Sequence, residues 1–276
     1  MKRVAVTKNG VAVWQDEDEQ AALLYVSGMH IDGDGSPHAY HPKGIGLDYN
    51  ANAYDKDRGK WVGVVTDAHG NPVVQGDDDL APGYYISPTT VSDKTITHPT
   101  ARRYVNAEEI SFIAFPGKLL SPTGGADVER LHIGVNLGDY VIVYHIKKKV
   151  FTGAIFADVG PRYKLGEASI RVAKNLGVPP SPKNGGEDHC NVMYLIFPRT
   201  HETPEWPLTE EAIQKKAREL FDAWGGVEQL EELLPTVKTA SFAPDGSEQP
   251  AKDLPTAEDR IAEARAAEAE ATHSAS

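Results

Sequence analysis

Eight short apolar segments, separated mostly by loops, constrain the fold of this chain more than any other feature of its sequence. They are rich in β-branched and aromatic residues and are bounded by turn-forming residues, which is typical of β-strands. The segments lie at residues 4–8, 22–26, 61–65, 83–87, 110–115, 140–145, 150–157 and 191–197. Only one clear helix, at 167–176, is indicated among them. The sequence therefore predicts a mainly β domain with a few helices (α+β), in which a closed or nearly closed barrel removes the exposed strand edges.

The chain divides into three parts. Residues 1–205 contain all the predicted strands and form the expected globular domain. Residues 206–236 predict a C-terminal helical extension, in which Thr209 caps a first helix and Gly225 ends it. The apolar stripe of that helix is expected to pack on the barrel, with a partner protein as the alternative. Residues 237–276 are rich in Ala, Glu, Ser and Pro and are expected to be a disordered acidic tail without a function of its own.

Composition narrows the class of protein. The 276 residues carry a formal net charge of −12 at pH 7. An acidic surface attracts polycations and disfavours nucleic acid as a partner. A single cysteine excludes an internal disulfide. No apolar run is long enough to span a membrane, and the start of the chain does not resemble a cleavable signal peptide, so we expect a cytoplasmic protein or export by a non-classical route.

Two carboxylates in the segment from 154 to 173 are the strongest candidates for catalysis. Asp158 ends an apolar run and Glu167 stands where a helix is expected to begin, with Gly160 and Pro161 turning the chain between them. Two carboxyl groups held on either side of a bond are the acid and base of a glycosidase. Burial at the strand end favours Asp158 as the acid and helix N–H groups favour Glu167 as the base, although the opposite division stays open. The simpler alternative is a turn-forming Asp158 and a Glu167 that complements the helix dipole.

A second group of acidic residues lies early in the chain. Asp32 and Asp34 belong to the run DGDGSPH. An EF-hand loop that started at Asp32 would need Gly at its sixth position and Glu at its twelfth, where this chain has Pro37 and Lys43. A D-x-D metal site of a sugar-nucleotide transferase is disfavoured too, because no phosphate-binding glycine loop accompanies it. The remaining alternatives are a strand-capping turn and a place near a substrate cleft.

The histidines and the lone cysteine suggest no second chemistry. His30, His38 and His41 have a spacing that occurs in zinc sites, but no cysteine or third ordered ligand is near them. Cys190 directly precedes a predicted strand and is expected to be a structural free thiol. We therefore expect neither a metal nor a cofactor.

The region of the two carboxylates resembles the signature region of glycoside hydrolase family 75, the chitosanases. In that family an apolar strand ending in Asp is followed by a loop and a Gly-Glu-(Ala/Gly)-Ser helix start, and the corresponding segments here are AIFADVGP and KLGEAS. Further pieces occur in the family's order: MHIDGDGSPHAYHP at 29–42, GLDYNANA at 46–53, GYYIS at 83–87, RYVNAEEISFIAFPG at 103–117, LGDYVIVYH at 137–145 and VMYLIFP at 192–198. The resemblance spans most of residues 20–200.

The resemblance implies an endo-acting, inverting hydrolase of β-1,4-linked glucosamine polymers (chitosan), with Asp158 and Glu167 as its catalytic residues. It also implies a six-stranded double-psi barrel. The residues expected to bind substrate are Asp32, Asp34, His38, Tyr40, Asp48, Tyr84 and Tyr85. Secreted fungal members are expected to have cysteines around the Asp-rich motif. Gly33 between the aspartates departs from that pattern, which indicates a reducing compartment or a bacterial relative.

Two other functions stay open at this point. The chain could hydrolyse another aminosugar polymer, such as deacetylated peptidoglycan, which a substrate panel would reveal. It could also be a non-catalytic carbohydrate-binding protein of the same fold, which would bind polymer without producing new chain ends. A pure binding protein has no use for the carboxylate pair, so the sequence favours an enzyme. In each case the expected partner is a polysaccharide, and the expected state is a monomer.

Overall fold

Six strands close into a barrel, and this closure decides where the candidate site lies. A computed structural model of the protein describes residues 1–16, 22–238, 241–242 and 248–249. The strands are β1 (Lys2–Val6), β2 (Ala12–Gln15), β3 (Leu23–Asp32), β4 (Tyr54–Asp55), β5 (Lys60–Trp61), β6 (Phe112–Ala114), β7 (Lys118–Leu120), β8 (Asp127–Glu129), β9 (Tyr140–His145), β10 (Val150–Asp158), β11 (Glu167–Ser169), β12 (Glu187–Ile196), β13 (Ser241–Phe242) and β14 (Glu248–Gln249). The α-helices are α1 (Ile170–Leu176), α2 (Glu210–Trp224) and α3 (Gly226–Lys238), and short 3-10 helices span Asn50–Ala53, Ala101–Arg103 and Arg130–Ile133.

The barrel strands follow the order β11-β6-β10-β9-β12-β3, and the pairing of β3 with β11 closes the ring. The pairs β10–β6 and β3–β11 are parallel, whereas the other neighbours in the ring are antiparallel. Beyond β3 the sheet continues through β2, β1, β7 and β8, and β4–β5 and β13–β14 form separate pairs. The prediction of a mainly β, barrel-like domain with a few helices is confirmed.

Most of the predicted strands are found in the structure, and the exceptions lie in the long excursion between β3 and β6. Four of the apolar segments correspond to β6, β9, β10 and β12, and two others contribute to β1 and β3. In the segment at 61–65 only Trp61 belongs to a strand, and the segment at 83–87 contributes a single bridge between Tyr85 and Val74. The prediction that these two segments form strands of the barrel is therefore wrong. They form part of the long excursion between β3 and β6 that carries many of the cleft residues.

Aromatic side chains dominate the core of the barrel. Tyr25 and Tyr194 stack with their ring centroids 4.6 Å apart. Phe115 contacts Tyr25 on one side and Phe156 on the other, at centroid distances of 6.2 and 5.9 Å. All four side chains are fully buried. Because burying one such side chain stabilises the fold by about 1.5–3 kcal/mol, this cluster can offset polar burial elsewhere in the barrel.

The helix predicted to begin at Glu167 begins at Ile170 instead. Ser169 is its N-cap, and the Ser169 hydroxyl accepts a hydrogen bond from Val172 N and donates one to Ile110 O. Glu167 therefore lies in β11, outside the first helical turn, and pairs with its neighbours as a strand residue. The expectation that helix N–H groups stabilise the charge of Glu167 is wrong. The sequence signal was misplaced because a three-residue strand runs directly into the N-cap.

Helix α2 packs on β10 and β9, as its apolar stripe predicted. Gly153 in β10 permits a close approach, since a Cβ at that position would lie 2.8 Å from the Cβ of Ala217. Helix α3 continues past Pro235 to Lys238, so the predicted tail starts too early in the sequence at 237. Apart from the strand pair of β13 and β14, the predicted disorder of the tail lies outside the described residues. Among the described residues, no helix combines the length and the apolar character needed to cross a membrane.

One carboxylate joins α2 to two other elements. Glu210 accepts hydrogen bonds from the backbone N–H and the hydroxyl of Ser111, both at 2.7 Å, and from the Asn175 and Gln214 amides at 3.2 and 2.9 Å. Its side chain is 12% exposed. The N-terminus of α2 is thereby fixed to α1 and to the start of β6.

We predict that Glu210→Gln lowers the free energy of unfolding by about 1.5–3 kcal/mol, because a donor NH₂ replaces one acceptor oxygen of a charged, nearly buried hydrogen-bond network. The measurement is urea denaturation followed by circular dichroism. Glu211→Gln removes the same charge from an exposed position in the same helical turn and should cost less than about 1 kcal/mol. Equal losses in both variants would mean that Glu210 acts only through the helix dipole.

Candidate active site

An open cleft of about 1280 Å³ lies where the ends of several barrel strands meet the long excursion between β3 and β6. Its lining includes Asp32 and Asp34 from the end of β3, Asp158 from the end of β10 and Glu167 from the start of β11. Tyr40 lines it as well. The two predicted catalytic residues and three of the predicted substrate-binding residues therefore face one common space.

Strand pairing explains why Asp158 and Glu167 meet there. Strand β6 lies between β10 and β11, and Ala114 at its end is the register partner of Asp158 on one side and of Glu167 on the other. The two acidic residues are thus two strand spacings apart at one level of the barrel. This places their α-carbons about 9–10 Å from each other.

Asp158 is fixed by Thr90. The backbone N–H and the hydroxyl of Thr90 both donate to Asp158 Oδ1, at 2.8 and 2.6 Å. The Thr90 segment is in turn pinned to β10 through a bond from Val91 N to Ala157 O. Burial raises the pKa of Asp158, and the bonds from Thr90 and from Val159 N oppose that shift because they favour the ionised form.

Glu167 has less support for its charge. Burial, followed by the charge of Asp158, raises the pKa of Glu167 to about 7, and the charge of Lys164 only partly opposes that shift. The aromatic core reaches this residue, since the charge of Glu167 contributes to the raised pKa values of Tyr25 and Tyr194. At neutral pH a substantial fraction of Glu167 is therefore protonated.

A glycine opens space beside Glu167. A Cβ at Gly160 would lie 3.1 Å from Glu167 Oε2 and 3.4 Å from the Cβ of Ala114. Any side chain at position 160 would therefore press against the carboxyl group and against the residue that separates it from Asp158. Gly160 keeps the space between the two candidate catalytic groups open.

Three further carboxylates form a hydrogen-bonded group next to this pair. The Tyr40 hydroxyl lies 2.9 Å from Asp34 Oδ1 and 3.4 Å from Asp48 Oδ2, so its single proton serves one of them at a time. Ser87 Oγ also reaches Asp34 Oδ1 at 2.9 Å, and Asp34 N donates to Asp32 Oδ1 at 2.7 Å. Tyr40 and Ser87 thus hold the Asp34 carboxyl in a fixed position.

Burial is the main cause of raised pKa values in this group. It raises the pKa of Asp32 and of Asp34 well above the usual range, and repulsion from neighbouring carboxylates adds to the shift of each. Burial raises the pKa of Asp48 to about 6, against hydrogen bonds from Tyr49 N and the Asn52 amide. Adding positive charge to this region would relieve the repulsion.

The other predicted substrate-binding residues lie outside the cleft lining. Asp48 contacts the site indirectly, because its carboxylate lies within hydrogen-bond distance of the Tyr40 hydroxyl. His38 binds Glu108 through Nδ1 at 2.8 Å, and its ring meets Tyr84 edge-on at a centroid distance of 5.4 Å. Tyr85 packs against Trp61 at 5.7 Å. His38, Tyr84 and Tyr85 contribute to the packing of the excursion between β3 and β6.

Sequence reasoning missed several residues that line the cleft. Thr90 stands in the run SPTTVSD, which carries no recognisable signal for a site. Basic side chains were missed too, because they are scattered along the chain: Lys56, Arg58, Arg162, Lys164 and Lys183. The lining therefore combines acidic residues with a set of cations, which the net charge of the whole chain conceals.

The described part of the chain holds no group of three or more His, Cys, Asp or Glu side chains arranged to bind a metal ion. The acidic side chains of the cleft instead accept hydrogen bonds from hydroxyl and backbone N–H groups. Carboxyl groups in such surroundings are able to transfer protons or to bind positive charge.

Comparisons with known proteins add no family to this geometry. No protein-family model matches the sequence, and no curated protein matches it either. Asp158, Glu167 and their surroundings must therefore be judged on the structure and on the residues themselves.

We predict that Thr90→Val raises the pKa of Asp158, because it removes the hydroxyl that donates to Asp158 Oδ1 and so favours the neutral acid. The measurement is an NMR titration of the carboxyl carbons. Thr95 offers a matched control, since its N–H and hydroxyl bind Asp93 Oδ1 at 2.9 and 2.6 Å in the same way. Thr95→Val should raise the pKa of Asp93 and leave Asp158 unchanged. An unchanged pKa of Asp158 in Thr90→Val would show that the Thr90 hydroxyl does not stabilise the ionised form of Asp158.

We predict that Glu167→Gln stabilises the protein above pH 7 and has little effect below pH 4.5. The folded-state pKa of about 7 exceeds the reference value of 4.5, so between these values the native state holds a proton that the unfolded state has lost. Stability from this group is therefore present at low pH and disappears as the pH rises through 7. The gain in Glu167→Gln should reach up to about 3 kcal/mol at pH 8.

Urea denaturation across this pH range is the measurement. The control is Glu109→Gln, which removes the same charge from an exposed position. A gain that does not depend on pH, or one that Glu109→Gln shares, would contradict the assignment of a raised pKa to Glu167.

Proposed function

We propose that this protein is an endo-acting, inverting glycoside hydrolase that cleaves β-1,4-linked glucosamine polymers. The observation that supports this best is the placement of Asp158 and Glu167 on either side of Ala114 at the edge of an open cleft. An inverting enzyme needs its two carboxyl groups roughly 6.5–9.5 Å apart so that a water molecule fits beside the sugar. A separation of two strand spacings is compatible with that requirement.

The surroundings of the two carboxyl groups support a definite division of roles. Glu167 holds its proton near neutral pH and is suited to protonate the leaving oxygen as the general acid. Asp158 accepts three hydrogen bonds that favour its ionised form and is suited to activate a water as the general base. These roles reverse those expected from the sequence, because the helix start that assigned the base to Glu167 lies three residues further on.

The cleft also supports a polymeric, cationic substrate. Its volume of about 1280 Å³ exceeds the roughly 300–1000 Å³ of sites for small molecules. Asp32 and Asp34 lie in it beside the catalytic pair, and their mutual repulsion would be relieved by a bound ammonium group. Tyr54 in the same lining is only half-buried, so part of its side chain is accessible to a sugar ring. A chain of glucosamine units provides both features.

The cations of the cleft favour one second candidate. Five basic side chains, Lys56, Arg58, Arg162, Lys164 and Lys183, lie in the same lining. They would pair with the carboxylates of a glycan that carries lactyl or peptide acids, as partly deacetylated peptidoglycan does. The chemistry at Asp158 and Glu167 would be the same for that substrate.

We predict that the wild-type protein releases reducing ends from chitosan and that Asp158→Asn and Glu167→Gln each reduce the rate by at least about a hundredfold, the lower end of what one acid or base supplies. Proton NMR of the first products should show the α-anomer, as inversion requires. Asp77→Asn and Glu211→Gln change exposed carboxylates outside the cleft and serve as matched controls.

Chitin and peptidoglycan complete the substrate panel. Release of reducing ends from peptidoglycan alone would change the proposed substrate and leave the proposed acid–base mechanism intact. Binding of polymer without release of ends by the wild type would show a binding protein and contradict the proposal.

A further inference from the structure

A second concavity, which we call the basic pocket, lies apart from the cleft and shares no lining residue with it. Its volume is about 350 Å³. The basic side chains in its lining are Lys2, Arg3, His132 and Arg199, and among the described residues no acidic side chain belongs to that lining. A concentration of positive charge in a chain with a net charge of −12 is unexpected from composition.

Three separate parts of the fold supply the basic side chains of the pocket. The pairing of β1 with β2 places Lys2 beside Gln15, and both line the pocket. The 3-10 helix Arg130–Ile133 contributes His132, and the segment that follows β12 contributes Arg199. The cations therefore converge through tertiary structure and are not neighbours in the sequence.

Arg199 is held in an unusual backbone conformation. Its φ of 62° lies in the left-handed region, which residues other than glycine adopt rarely. The buried carboxylate of Asp139 fixes the turn, since its Oδ1 accepts hydrogen bonds from Thr200 N at 2.9 Å and from His201 N at 3.1 Å. Strained backbone persists only where the surroundings enforce it, and such positions are common at binding sites.

The Arg199 side chain is directed towards the 3-10 helix that carries His132. A Cβ at Gly134, the C-cap of that helix, would lie 3.8 Å from Arg199 Nη2 and 3.9 Å from Arg199 Nε. The guanidinium of Arg199 therefore lies within van der Waals distance of the end of this helix. Arg199 and His132 are brought to the same wall of the pocket.

Nearby acidic side chains are engaged elsewhere. Asp139 serves the turn described above. Glu129 binds Lys118 at 2.7 Å, and Glu202 accepts a hydrogen bond from the Tyr140 hydroxyl at 3.1 Å. Among the described residues, these contacts direct the three carboxylates towards partners outside the lining of the pocket.

We infer that the basic pocket binds a phosphate monoester of a small molecule. A guanidinium and an ammonium group together match the charge of a phosphate dianion, and the planar fork of an arginine binds two phosphate oxygens at once. The apolar side chains of Val4, Val128 and Ile133 complete the lining and would contact the organic part of the ligand. A volume of about 350 Å³ is larger than a bare phosphate requires and suits a small ester.

The test is isothermal titration calorimetry of the wild-type protein with phenyl phosphate, inorganic phosphate and uncharged benzyl alcohol at one fixed ionic strength. We expect saturable binding of phenyl phosphate, weaker binding of inorganic phosphate and none of benzyl alcohol. Arg199→Gln and Lys2→Gln should each weaken the binding of phenyl phosphate by about tenfold, the size expected for the loss of one charge-assisted contact.

Matched controls are Arg102→Gln and Lys147→Gln, which remove the same charges from exposed positions outside the pocket. They should leave binding unchanged. Absence of saturable binding to the wild type, or equal weakening in the controls, would overturn the inference. Equal affinity for inorganic phosphate and phenyl phosphate would overturn the assignment of an ester and leave an anion site only. None of these outcomes depends on hydrolysis of a glycan at the cleft.

Discussion

The parallel pairing of β11 with β3 is the interaction on which the rest of the structure depends. Three residues are too few to form a stable strand by themselves, so β11 exists because β3 and β6 bind it on both sides. Gly166 permits this approach: its φ is +99°, and a Cβ there would lie 2.6 Å from Ser27 Oγ. The pairing of β11 with β3 closes the barrel, and the pairing of β11 with β6 sets Glu167 level with Ala114. Closure of the fold and assembly of the candidate site are therefore one structural event.

The cost of this arrangement is electrostatic. Five acidic residues, Asp32, Asp34, Asp48, Asp158 and Glu167, are linked by mutual repulsion in a largely buried region. Burial raises the pKa of each, so the folded protein holds protons that the unfolded chain would release at neutral pH. The aromatic core can offset this loss of stability. Groups of carboxyl groups with such raised pKa values are common at functional sites.

Long strands and single motifs could be predicted from the sequence, whereas their junctions could not. The apolar run that ends at Asp158 has the length and composition of a buried strand, and β10 follows it closely. The three residues of β11 have no detectable period, so Glu167 was assigned to the helix that starts at Ile170. The roles expected of the two carboxylates then followed from a first helical turn that does not include Glu167. A position error of three residues was enough to reverse the acid and base roles that we propose for the two carboxyl groups.

Residues that act through contacts distant in sequence were beyond prediction for a related reason. Thr90 reaches Asp158 across a separation of 68 residues, and nothing in its own segment distinguishes it from an ordinary loop threonine. His38 and Tyr84 belong to segments that resemble a family motif. In this structure, however, His38 binds Glu108 and contacts the ring of Tyr84, and both residues lie outside the cleft lining. Motif resemblance locates segments, and only the fold decides which side chains of a segment reach the common space.

For the hydrolase that we propose, the placement of charge within the cleft limits how a cationic substrate can bind. An ammonium group beside Glu167 would lower its pKa and remove the proton that a general acid needs, and Lys164 already acts in that direction. Asp34 is a better partner, because Tyr40 and Ser87 hold its carboxyl in place and its repulsion with Asp158 falls when positive charge arrives. Positive charge at Asp34 would also favour ionised Asp158, the form that a base requires. A glucosamine unit bound at Asp34 would therefore favour the ionised form of Asp158 and leave the proton on Glu167.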